Sequence, residues 1–135
     1  MSNYQIAAVV LAAGQGTRMM SKTPKVLHPI AGRPMLAQLL ATVDALGTKM
    51  SVERRIVVVS PGNAEAIQAA VPGIELVVQD PPLGTGHAVM ATGEQLSGFT
   101  GDVLVLFADS PLVSVETLGA MLAARRGASD PAVVV

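Results

Sequence analysis

Apolar positions along this chain fall into short unbroken runs, separated by longer stretches in which they recur every three or four residues. The runs are 6–11 (IAAVVL), 56–59 (IVVV), 75–78 (ELVV), 103–106 (VLVL) and 132–135 (AVVV). They are continuous rather than alternating, the pattern of parallel strands covered on both faces. Between them, Met35, Leu36, Leu39, Leu40, Val43 and Leu46 form a helical stripe that ends at Gly47, with Gly32 ahead of Pro34 at the first turn. Asn63 suits the cap of a short helix reaching about residue 70, and Ser114 the cap of one carrying Leu118, Met121 and Leu122, with Arg125 and Arg126 near its end. A fourth helix is expected from about His87 to about Leu96, weakened by Gly93. Strands alternating with helices predict an α/β fold built on a doubly wound, mostly parallel sheet, in which ligands bind outside the carboxyl ends of the strands. The chain shows no internal repeat, low-complexity tract or long linker. Its final apolar run has no polar tail, so we expect a fragment of a longer protein in preference to a natural edge strand.

Composition narrows the function classes. The 135 residues make at most one domain; half are hydrophobic and 14% charged, which favours a filled core over disorder. Two Phe, one Tyr and no Trp leave little for base-stacking platforms, and a net charge of −1 gives no general attraction to nucleic acid or anionic membrane. Without cysteine there is no disulfide, thiol chemistry or Cys-based zinc site. No stretch is long and apolar enough for a membrane span or a secretory leader, so a cytoplasmic protein with neither nucleic-acid nor membrane partners is expected.

Three loops carry candidate chemistry, each at the carboxyl end of an expected strand. After the first strand comes Gly14-Gln15-Gly16, followed by Arg18 and, seven residues on, Lys25. Glycines let backbone N–H groups approach a phosphate, and the two cations add fixed positive charge. The pattern lacks the third glycine of the dinucleotide fingerprint and the lysine of a P-loop. Two glycines by themselves equally make a tight turn, and exposed Arg and Lys are usually solvated. After the third strand, Gln79 offers an amide able to read a nucleobase edge, Gly84 and Gly86 permit close approach to a flat ring, and Thr85 adds a hydroxyl; a plain Pro/Gly turn is the simpler alternative. After the fourth, Asp109 is placed as a Mg²⁺ ligand facing phosphates, or as a turn residue before Pro111. His28 sits among Leu27, Pro29 and Ile30 and is assigned no chemistry.

Taken together, LAAGQGTRMMSKTPKVLHPIAGRPM (11–35), QDPPLGTGHA (79–88) and LVLFADSPLVSVETL (104–118) closely resemble the sugar-1-phosphate nucleotidyltransferases. The match is to the uridyltransferase half of the bacterial bifunctional enzymes that make UDP-N-acetylglucosamine. The second block is the more discriminating, since many nucleotidyltransferases share the first. The resemblance covers nearly the whole chain and implies the N-terminal portion of a Rossmann-like nucleotidyltransferase domain.

By position, the resemblance implies that Leu11, Ala12, Ala13 and Gly14 hold the nucleotide through backbone contacts. Gln79, Gly84 and Thr85 would read uracil, Lys25 would bind phosphate, Arg18 would stabilise departing pyrophosphate, and Asp109 would ligate Mg²⁺. Phe107 and Ala108 complete the implied substrate-binding set. The implied reaction joins UTP and N-acetylglucosamine-1-phosphate, releases pyrophosphate and supplies precursors of peptidoglycan and lipopolysaccharide. The family usually has Tyr-Gly-Asp where this chain has Phe107-Ala108-Asp109, which removes a hydroxyl and adds a methyl. The family's remaining sugar contacts, its second metal ligand and its trimer-forming acetyltransferase β-helix lie beyond position 135. Two alternatives therefore stand: a nucleotidyltransferase for another sugar phosphate or base, and a non-catalytic nucleotide-binding module.

Overall fold

The structure, a computed structural model, describes residues 5–13 and 23–135. β1 (Gln5–Ala12) opens the fold. A single 3₁₀ turn at Lys25–Leu27 follows, then the two-residue strands β2 (Pro29–Ile30) and β3 (Arg33–Pro34) and the helix α1 (Met35–Leu46). β4 (Ser51–Val59), α2 (Ala64–Ala70), β5 (Glu75–Val78), α3 (Thr85–Met90), β6 (Asp102–Phe107) and α4 (Val115–Arg125) complete it. The main sheet has the order β5-β4-β1-β6, and all its pairs are parallel. The chain steps outward from β1 to β4 and β5, then returns to the far side of β1 as β6. That reversal makes the carboxyl end of β1 the topological switch point, where open α/β sheets bind their ligands.

β1 is central and buried on both faces, which explains its unbroken apolar run. Ile6, Ala8, Val10 and Ala12 join Val57, Val59, Leu104 and Leu106 beneath α1, α2 and α4, where Leu36, Leu39, Val43, Ile67 and Leu118 close the layer. Val9 and Ala13 join Ile56, Val58 and Val77 on the opposite face, under Ala88 of α3. Helices thus cover both faces, as the doubly wound expectation requires.

The elements agree with the sequence expectations at four of the five strands. Residues 132–135 form no strand; Val133 is 75% exposed. β-propensity without a ladder partner or a face to bury does not make a strand. Three local details also differ. Ala31 and Gly32, both at positive φ, turn a two-residue hairpin, so Pro34 ends β3 and α1 begins at Met35. Asn63 stands at the start of α2 without a side-chain cap, because the preceding 3₁₀ turn (Pro61–Asn63) leads into the helix. α3 starts at Thr85 and stops at Met90, after which residues 91–98 continue as turns. Ser114 does cap α4: its Oγ accepts the Thr117 N–H at 3.1 Å. Gly101 is required by contact, since a Cβ there would collide with the Gln5 carbonyl oxygen.

Candidate nucleotide site

A cavity of about 410 Å³ opens at the carboxyl ends of β1, β5 and β6. Three walls are built by strands that end there. The β1–β6 ladder runs one residue past its last pair, with the Ala108 N–H donating to the Leu11 carbonyl at 3.1 Å. This brings Asp109 beside the end of β1. The β4–β5 ladder is extended in the same way by the Gln79 N–H on the Val59 carbonyl at 2.8 Å. The fourth wall is the 3₁₀ turn after residue 24. Val26 anchors it in the core, and Lys25 projects half-exposed into the cavity.

The ammonium of Lys25 stands 3.7 Å from the Asp109 carboxylate, with side chains 43% and 53% exposed. That distance exceeds a hydrogen bond, and solvated pairs of this kind contribute at most about 1 kcal/mol. Both charges therefore remain available to a ligand. Among the described residues no group of three or more His, Cys, Asp or Glu side chains could hold a metal.

The Gln79 side chain is enclosed, with only 3% of the residue exposed. Its Nε2 donates to the Gly84 carbonyl at 3.1 Å and lies 2.9 Å from His87 Nδ1. Gly84 is at φ 105° and ψ 178° just ahead of α3. Side chains rarely adopt that conformation, so the turn that aims the Gly84 carbonyl at Gln79 needs glycine.

Of the residues singled out from sequence, Leu11, Ala12, Ala13, Lys25, Gln79, Gly84, Thr85, Phe107 and Asp109 line this one cavity. Ala108 does not. It is fully buried, and its methyl packs in the core layer beneath α1 and α4, because strand alternation turns position 108 away from its neighbours 107 and 109. The extra methyl relative to the usual glycine is thus accommodated in the core. Gly14 and Arg18 lie outside the described residues. His28 makes a local hydrogen bond between Nε2 and the Thr23 carbonyl at 3.2 Å.

Sequence reasoning passed over Val26, Pro82 and Ala88 as lining residues and His87 as the partner of Gln79. The signal for His87 was present: two polar side chains bracket a Pro/Gly loop, one at a strand end and one in the first turn of the next helix.

The family model of the MobA-like NTP transferase domain matches residues 8–135. A curated relative named bifunctional protein GlmU, from Sphingopyxis alaskensis, is 57% identical over 135 residues, covering 98% of this chain and 29% of the relative. The chain spans less than a third of the length of the curated relatives it matches first. Among solved structures, a nucleotidyl transferase from Methanothermobacter superimposes with a TM-score of 0.69 at 28% identity, over 89% of this chain and 57% of that one. The Mycobacterium tuberculosis Rv0371C complex with manganese shares the fold, with a TM-score of 0.69 at 24% identity over 87% of this chain and 58% of that one.

Proposed function

The chain belongs to the MobA-like NTP transferase domain family, and from that premise we propose that it forms the nucleotide half of a sugar-1-phosphate uridyltransferase site. The substrates would be UTP and N-acetylglucosamine-1-phosphate, and the products UDP-N-acetylglucosamine and pyrophosphate. The observation that carries this reading is the convergence of Leu11, Lys25, Gln79, Thr85 and Asp109, far apart in sequence, on one cavity at the switch point of the sheet. The 57% identity to a bifunctional protein GlmU supports the choice of sugar nucleotide within the family.

The chemistry follows from the proposed substrates. A phosphate oxygen of the sugar phosphate attacks the α-phosphorus of UTP, and the bond from that phosphorus to the bridging oxygen breaks, releasing pyrophosphate. No covalent bond to the protein is needed, so the protein's work is positioning and charge neutralisation. The backbone at 11–13 would support the nucleotide. Gln79, Gly84 and Thr85 would face the base, and Lys25 would act as a point charge on phosphate. Arg18, by resemblance, would meet the departing pyrophosphate. Phe107 supplies an apolar wall without the usual hydroxyl.

Mg²⁺ fits the donor set in one manner. It takes one or two carboxylates and fills its shell with phosphate oxygens and water. Asp109 offers one open carboxylate, so the ion would be held jointly by Asp109 and the nucleotide. When bound, it would withdraw charge from the phosphoryl oxygens. In this reading Lys25 exchanges its Asp109 contact for phosphate.

Among the described residues no helix is long and apolar enough to cross a membrane. A cytoplasmic setting, a role in envelope-precursor synthesis and trimerisation through a further domain belong to the same proposal. A second reading, a different sugar phosphate, is favoured by Phe107 alone, because Ala108 does not reach the cavity.

The test is calorimetric titration of this chain with UTP, CTP and GTP, with and without Mg²⁺. UTP is expected to bind tightest and to depend on the metal. Equal affinity for all three nucleotides would overturn the uridine assignment, and indifference to Mg²⁺ would overturn the metal assignment.

A further inference from the structure

We propose that His87 is a positioning residue that makes Gln79 present only its carbonyl oxygen to the cavity, and so makes the site select a base with a ring N–H donor. The proposal rests on the base-facing role given to Gln79 above and adds what decides its selectivity.

An amide side chain has two opposite faces, an NH₂ donor and a carbonyl acceptor. The Gly84 carbonyl can only accept, so the group 3.1 Å from it must be the NH₂. His87 Nδ1 lies 2.9 Å from the same nitrogen. An imidazole nitrogen accepts only when it carries no proton, which places the ring hydrogen on Nε2. Both amide N–H bonds are then engaged inside the protein. Oε1 has no partner among the described residues, and it is not fully enclosed. It is the part of the amide left open to the cavity that Gln79 lines.

A lone acceptor at the base edge matches the N3–H of uracil. Cytosine presents an unprotonated N3 at that position, setting acceptor against acceptor. The Gly84 contact alone leaves one amide hydrogen unsatisfied and holds the amide by a single hydrogen bond. The His87 contact adds a second and narrows the last torsion. His87 is half-buried in the first turn of α3, so its ring is held by the same short helix that Gly84 begins.

The experiment titrates isotopically labelled full chain with UTP and CTP and follows binding by NMR, for wild type, His87→Leu and His87→Asn. Leu removes the acceptor at similar bulk, whereas Asn Oδ1 restores one near the Nδ1 position. Wild type and His87→Asn are expected to prefer UTP. His87→Leu is expected to lose about five- to tenfold of that preference, the size of one neutral hydrogen bond. Without ligand, the Gln79 side-chain amide protons should exchange slowly in wild type and His87→Asn and faster in His87→Leu.

An unchanged UTP/CTP ratio and unchanged protection in His87→Leu would overturn the role of His87. Equal binding of UTP and CTP by wild type would overturn the base-reading role of Gln79 and this consequence with it. Imidazole ¹⁵N shifts of wild type give a check that needs no variant: the Nε2–H tautomer is expected, and the Nδ1–H tautomer refutes the proposal.

Discussion

The strand β6 is bounded by two aspartates in opposite circumstances. Asp102, its first residue, accepts from Arg126 Nε at 2.7 Å and lies 3.6 Å from Arg125 Nε; the Asp102 and Arg126 side chains are each only 16% exposed. These arginines sit at the end of α4, where positive charge also suits the helix carbonyls. Asp109, just past the other end, has Lys25 at 3.7 Å and is half-exposed. A carboxylate held by planar guanidinium groups in a half-dry setting has little capacity left for a ligand, and it fixes a helix to the sheet. A carboxylate loosely paired with a solvated ammonium retains its lone pairs. The same residue type on one strand thus serves packing at one end and is open to chemistry at the other.

This contrast can be broken in three ways. The largest effect is expected from Asp109→Ala. Affinity for UTP in the presence of Mg²⁺ should fall on the order of a hundredfold, the scale seen when a metal shell is disrupted. Thermal stability should barely move; a large loss of Tm would show that Asp109 is structural after all.

Asp102→Ala should do the reverse. Removing one partner of a fully enclosed pair costs more, but the 16% exposure moderates it to about 2 kcal/mol. A fall in Tm of roughly 8 °C is expected, with UTP affinity retained. If binding collapsed while Tm held, the two ends of β6 would have been assigned the wrong way round.

The smallest change in stability is expected for Lys25→Ala, within about 0.5 kcal/mol by chemical denaturation. UTP should nevertheless bind about tenfold more weakly, since a phosphate contact is charge-assisted. A clear destabilisation with unaltered UTP binding would return Lys25 to an ordinary surface cation.

Much of the fold was legible because burial on both faces writes itself as unbroken apolar runs. Residues 6–10 and 56–59 are inaccessible in β1 and β4, and Leu11 is partly buried where β1 meets the cavity. The run at 132–135 is as apolar but has no partner strand, and pairing is a property of two segments. At the site, the strand-end loops were legible because glycine, Gln79 and Asp109 interrupt apolar runs with groups that have no place in a core. The direction of a side chain at a strand end was less so. Phe107, Ala108 and Asp109 read as one block, and the pleat divides them, with two toward the cavity and Ala108 into the core. His87 was passed over because its partner lies across a loop.

Local grammar is written in the amino-acid sequence: which segments are strand or helix, where loops break them, and which residue types can bear charge or hydrogen bonds. These follow from periodicity and side-chain chemistry, which are local. Which groups meet is set by the three-dimensional path of the chain. The parallel order β5-β4-β1-β6 sets the carboxyl ends of β1, β5 and β6 along one edge of the sheet, and Lys25 meets Asp109 there. The short helix α3 sets His87 against Gln79 and leaves one face of that amide open. Such meetings depend on the path of the whole chain, because hydrogen bonds and charge pairs act over a few ångströms of space at any separation in sequence.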